Sequence, residues 1–180
     1  MACISKLASA IAYDCDSGAT GLVSAIIINK ADIASYTLAN GEEVQGLTLV
    51  SGASAYKVDT VKRSTTVSVA LKVNDGAPNA YSHTATLTVM TERGRTGYPT
   101  MMGALSNGSF VILARHGADA RQCAVYGLYY GLSATSAERS SHDNGGWATV
   151  TLETPENVIG EDNLSIGTAS YDALYTAAVG

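Results

Sequence analysis

The chain's most concentrated chemistry is Ser140-Ser141-His142-Asp143, followed by Gly145-Gly146. A hydrolytic triad needs a serine on a strained elbow, a histidine and a carboxylate converging in space, and an oxyanion hole beside them. Four consecutive residues of one polar loop do not supply that geometry. The glycine pair precedes an extended segment, and no Gly-Lys-Ser or Gly-Lys-Thr follows it, so it is not a phosphate loop but a turn before Trp147. Asp14-x-Asp16-x-Gly18 resembles the start of a calcium loop, yet the twelfth position is Ala25 rather than glutamate. The expectation is an Asx turn. His83 and His116 lack an evident sequence partner, and Arg93 and Arg95 suit a solvated loop. Cys3, Cys15 and Cys123 make no zinc pattern. They are expected as thiols, with a Cys3–Cys15 bridge open only in an oxidising compartment. No catalytic residue, metal ligand or cofactor site is assigned, and the expectation is a protein that is not an enzyme.

Composition points to self-association. Of 180 residues, 46% are hydrophobic and 15% charged, against about 25% charged in an ordinary globular protein. So little charge suggests a surface partly covered by neighbours. The net charge of −5 argues against binding nucleic acid through its phosphates. No run of about 18 apolar residues is present, so no membrane span is expected. The start, Met1–Leu7, lacks the basic and long apolar regions of a signal peptide, so a protein made and kept in a cytoplasm is expected.

The elements follow from apolar spacing and turn residues. Residues 1–21 form an N-terminal arm, 22–156 a β-sandwich or barrel domain, and 157–180 a tail that packs on the domain or on a neighbouring subunit. Leu22–Asn29 is a strand apolar on both faces, covered by its own core and by a neighbour. Lys30–Tyr36 is one helical turn or an irregular link, and Val44–Val50 is a strand. Tyr56–Arg63 is a further strand. Thr65–Val73 alternates, with Val67, Val69, Leu71 and Val73 on one half-buried face, and forms a hairpin with Tyr81–Thr91. Pro99, the spacing of Met101, Met102 and Leu105, and Asn107-Gly108 mark one short helix over about 99–106. Three antiparallel strands follow at Phe110–Arg115, Ala124–Leu132 and Trp147–Leu152, with a polar loop before the last. The tail is irregular up to a helix candidate at Ser170–Ala178. Trp147 lies on the face opposite Ala148, Val150 and Leu152, and is read as a subunit contact rather than a core residue. The fold class is therefore mainly β, an antiparallel β-sandwich or barrel with one short flanking helix.

The order of elements in the second half is more specific than its parts. A helix ending in Asn107-Gly108 is followed by Phe110–Arg115, then by Val125-Tyr126-Gly127-Leu128-Tyr129-Tyr130-Gly131-Leu132. Next come Asp143-Asn144-Gly145-Gly146, Trp147–Leu152 and Glu156. Over residues 98–156 this order resembles the major tail tube proteins of long-tailed bacteriophages, in particular those of Bacteroidetes-type hosts. The Met-Ala-Cys start is similar to that of such proteins. The resemblance implies a structural virion protein, assembled in the host cytoplasm into hexameric rings that stack into a tail tube. Its partners would be copies of itself, other tail proteins, and DNA passing through an acidic lumen without specific binding. Ile4, Leu7 and Ile11 of the arm, with Trp147, are the expected interface residues. Glu42, Glu43, Asp59 and Asp75 are lumen candidates between which nothing chooses. Two alternatives stay open: another virion component (capsid decoration, tail terminator or joining protein), and a carbohydrate-binding β-sandwich using the ten tyrosines and single tryptophan.

Overall fold

The structure, a computed structural model, describes residues 21–58, 60, 65–89, 98–117, 123–139 and 147–180. The expectations for Ile4, Leu7, Ile11, Cys3, Cys15, Asp14, Asp16, Asp59, Arg93, Arg95 and Ser140–Gly146 fall outside these residues.

The fold is built around one strand, β7 (Ser109–His116). Its run Phe110-Val-Ile-Leu-Ala114 is buried throughout, as a strand covered on both faces requires. One edge pairs antiparallel with β1 (Leu22–Asn29), from Leu22 opposite His116 to Asn29 opposite Phe110. The other edge pairs with β8 (Cys123–Tyr126) and then with the start of β9 (Leu132–Arg139). Successive side chains point to opposite faces. Val111 and Leu113, with Ile26 and Ile28, enter one core. Phe110, Ile112 and Ala114, with Ala25, enter a second core. Both faces of β1 and β7 are thus covered by the chain itself, not by a neighbour.

The remaining strands are β2 (Ile33–Ala39), β3 (Glu43–Leu49), β4 (Tyr56–Val58), β5 (Thr65–Lys72), β6 (Ala80–Val89), β10 (Ala148–Glu153) and β11 (Leu164–Ile166). They join one sheet in the order β2-β3-β11-β8-β7-β9-β10-β6-β5, with β1 and β4 branching from β7. The sheet does not close into a barrel. Its pairs are antiparallel except β11 with β3, which is parallel. The sheet folds over so that Ala85 and Leu87 of β6 and Val150 and Leu152 of β10 share the second core with β7 and Tyr126 of β8. The helix α1 (Tyr98–Asn107) closes that core with Leu105. The chain is therefore mainly β with a short helix, as its sequence indicated.

A second helix, α2 (Thr168–Ala177), covers the first core. Its Tyr171 is fully buried. The Arg115 guanidinium lies over its ring, 4.8 Å from the centroid, and the ring of Tyr175 stacks with it at 5.9 Å. Lys57 Nζ lies over the Tyr175 ring, 5.1 Å from its centroid. Each cation faces the negative face of an aromatic ring. Tyr171 Oη also bonds Ser24 Oγ at 2.8 Å, and Arg115 Nη2 donates to Asp172 Oδ1 at 2.5 Å.

Several expectations need correction. Ala124–Leu132 is not one strand. The register on β7 jumps from Tyr126 to Leu132, and residues 127–131 are extruded as a turn. Gly127 (φ 75°) and Gly131 (φ 79°) bracket it in the left-handed region, which L side chains rarely adopt. The polar segment after it is partly strand, because β10 pairs with Ser133–Arg139. Lys30–Asp32 is a single 3-10 turn, and Ile33–Ala39 is a strand on β3 rather than a link. In the tail, Leu164–Ile166 forms β11.

Truncating the buried ring should separate packing from hydrogen bonding. Tyr171→Ala should destabilise the fold by about 3–5 kcal/mol, and Tyr171→Phe, which loses only the Ser24 bond, by about 1 kcal/mol. Urea unfolding monitored by circular dichroism measures both.

Candidate functional site

The two described histidines, His83 and His116, are engaged in contacts within the fold. His83 on β6 is 1% exposed. Its Nδ1 accepts the Gly127 N–H at 3.1 Å, and its ring meets Tyr126 edge-on at 5.4 Å. Burial lowers its pKa against the opposing pull of Asn163 and Asp162. His116 Nε2 shares a 2.7 Å hydrogen bond with Tyr126 Oη. Burial also lowers the His116 pKa and pushes Tyr126 up to about 12. Among the described residues neither histidine is bonded to a carboxylate or to a serine. Among the described residues no group of His, Cys, Asp and Glu is arranged to hold a metal. No helix there is long and apolar enough to cross a membrane. Cys123 is a buried thiol beside Arg115, its partner in the β7–β8 register.

A second buried titratable group, Glu161, is fully covered. Its carboxylate accepts the backbone N–H groups of Tyr129 and Tyr130 at 2.8 and 2.7 Å. Burial raises its pKa, opposed by these N–H groups and by Lys30. Lys30 in turn donates to the Leu128 carbonyl at 2.5 Å. His83 and Glu161 thus hold the 127–131 turn by its amides.

Glu161 belongs to a strap, residues 154–163, that ties the β5–β6 hairpin to the rest of the sheet. Thr154 and His83 exchange hydrogen bonds, and Glu161 pairs with Tyr81 through both main-chain groups. Lys72 donates to the carbonyls of Pro155, Glu156 and Val158 at 3.4, 2.9 and 2.6 Å. Asn74 Nδ2 reaches the carbonyls of Pro78 and Ile159.

The strap leaves one surface uncovered. Among the described residues β5 pairs only with β6 and ends the sheet. The alternation of Thr65–Val73 is present, and Val67, Val69 and Leu71 stand opposite Ala85, His83 and Tyr81. The expected half-burial holds only at one end. Val67 packs on the second core, whereas exposure rises to 40% at Val69, 60% at Leu71 and 73% at Val73. The strand runs past the layer that would cover it. Val69 faces a cleft of about 320 Å³ lined by Ala124, Tyr126, Asn163, Leu164 and Ser165 among others.

An edge strand is ordinarily protected by charge, proline or a bulge. Thr65–Leu71 has no charged residue and no proline, and its register with β6 is unbroken. Its one charge, Lys72, is turned back onto the strap. This surface is the best candidate site in the described chain. The sequence contained its signal, the alternating valines, but nothing local revealed that the face opposite is missing. Of the expected interface residues, Trp147 is 36% exposed immediately before β10, and Ala148, Val150 and Leu152 face inward.

Replacing Lys72 by methionine should loosen the strap, because three carbonyls lose a charged donor. A loss of about 1.5–3 kcal/mol is expected, with earlier proteolytic cleavage in residues 154–160 as the local readout. Comparison with protein-family models, with curated proteins and with solved structures finds no match.

Proposed function

We propose that this protein is a structural subunit that polymerises with copies of itself, as a tail tube protein of a long-tailed bacteriophage does, forming stacked rings through which DNA passes. The observation that carries the reading is β5, a sheet end with no charge before Lys72, no bulge, and Val69, Leu71 and Val73 exposed. Left open in solution, such an edge pairs with other chains. Covered by the next subunit of a closed ring, it is satisfied and pairing stops. The low charge content supports the same reading. The net charge of −5 suits a conduit that repels phosphates.

Electron microscopy of the purified protein tests it. Rings or tubes are expected, and persistent monomers across the micromolar range would overturn the proposal. Leu71→Lys places a charge on the exposed edge without touching either core. It should abolish assembly while leaving the circular dichroism spectrum and thermal midpoint unchanged. Trp147→Ala and deletion of residues 2–18 should likewise give folded subunits that fail to assemble. If all three variants polymerise normally, the interface lies elsewhere.

A further inference from the structure

We infer that His83 is an acid-sensitive latch: its proton uptake releases the 127–131 turn from the fold before the sheet itself opens. The inference is independent of the assembly reading. It rests on a hydrogen bond that only the neutral ring can make. Gly127 donates its N–H to His83 Nδ1, so that nitrogen carries no proton and the neutral ring carries its hydrogen on Nε2. Among the described residues Nε2 has no hydrogen-bond partner, and it is buried. A second proton would set an N–H of the ring against the N–H of Gly127 and leave a cation in a site 1% exposed.

The groups around the ring do not rescue the cation. From the strap, Asp162 and the neighbouring Asn163 side chain favour the cation, but desolvation outweighs both. From β8, Tyr126 presents its ring edge-on, with its hydroxyl committed to His116. On the far side of the turn, Glu161 is occupied by the amides of Tyr129 and Tyr130, and Lys30 by the Leu128 carbonyl. Tyr129, whose hydroxyl lies 3.4 Å from Asp162, is pushed up to about 12 and stays neutral.

His83 and Glu161 act in opposite directions. The lowered pKa of His83 stabilises the fold above the ordinary histidine value, and that contribution is lost as pH falls through the lowered one. The raised pKa of Glu161 favours its protonated form in the fold, so its contribution is present below the ordinary carboxylate value and lost as pH rises. Acid opening of the turn therefore belongs to His83. Release of the turn withdraws Leu128, 1% exposed, from the first core. It also frees Tyr129 and Tyr130 from Glu161.

Amide hydrogen exchange of the intact chain between about pH 7.5 and about pH 4.5 tests the latch. After correction for intrinsic rates, protection at Gly127, Tyr129 and Tyr130 should fall by up to about tenfold per pH unit between the ordinary histidine value and the lowered one of His83, and level off below it, while the β7 amides stay protected. His83→Asn keeps an acceptor near the Nδ1 position and does not titrate, so it should remove the pH dependence. An unchanged pH dependence in His83→Asn, or loss of turn protection only together with β7, overturns the inference. Should His83→Asn fail to fold, nitrogen NMR of the wild-type ring decides. A neutral Nε2–H tautomer whose titration coincides with the amide change supports the latch. Titration without any amide change overturns it.

Discussion

Everything in this fold depends on β7 being buried on both faces. A strand in that position has no polar side on which to rest, so the chain must build two cores from one sheet. The sheet does so by folding over β7 on one side and taking α2 on the other. Phe110–Ala114 and Ala25–Ile28 are the interdigitating residues, and each contributes to the core its parity selects. The helix on the first core is held both by burial of Tyr171 and by its ring contacts. Contacts of Arg115 with Tyr171, of Tyr171 with Tyr175 and of Tyr175 with Lys57 fix where the two rings sit.

Folding one sheet onto itself leaves polar groups at the crease, and the chain satisfies them with buried side chains. The extruded turn between β8 and β9 has amides that no strand pairs. Glu161 and His83 accept them instead. At the other end of the strap, surplus carbonyls are collected by the ammonium of Lys72. Such groups cost more when left unmatched than they return when matched, which explains why a carboxyl as buried as that of Glu161 lies in the irregular strap.

How much of this was legible depended on whether the deciding contact was local. β1 and β7 were legible because continuous apolar runs have few other readings. α1 was legible from Pro99 and Asn107-Gly108. The break after Tyr126 was not, since Leu128, Tyr129 and Tyr130 are good strand residues and the turn exists because Glu161 and His83, distant in sequence, receive its amides. β9 was missed for the reverse reason: Ser133–Arg139 has a loop-like composition and is recruited by β10. The candidate site was half legible. Period two showed that Val67, Val69 and Leu71 share a face, but whether a face is covered depends on the layer opposite, which period two does not report.

The parallel pair between β3 and β11 has a temporal meaning. Glu43 and Val44 lie beside Ser165 and Ile166, and Leu164, Ile166 and Tyr171 complete the core begun by Ile26 and Ile28. A contact so distant in sequence forms slowly and cannot form until the later segment has been synthesised. During translation the first core therefore waits half-built, and the chain acquires its finished shape only after residues 164–178 have left the ribosome.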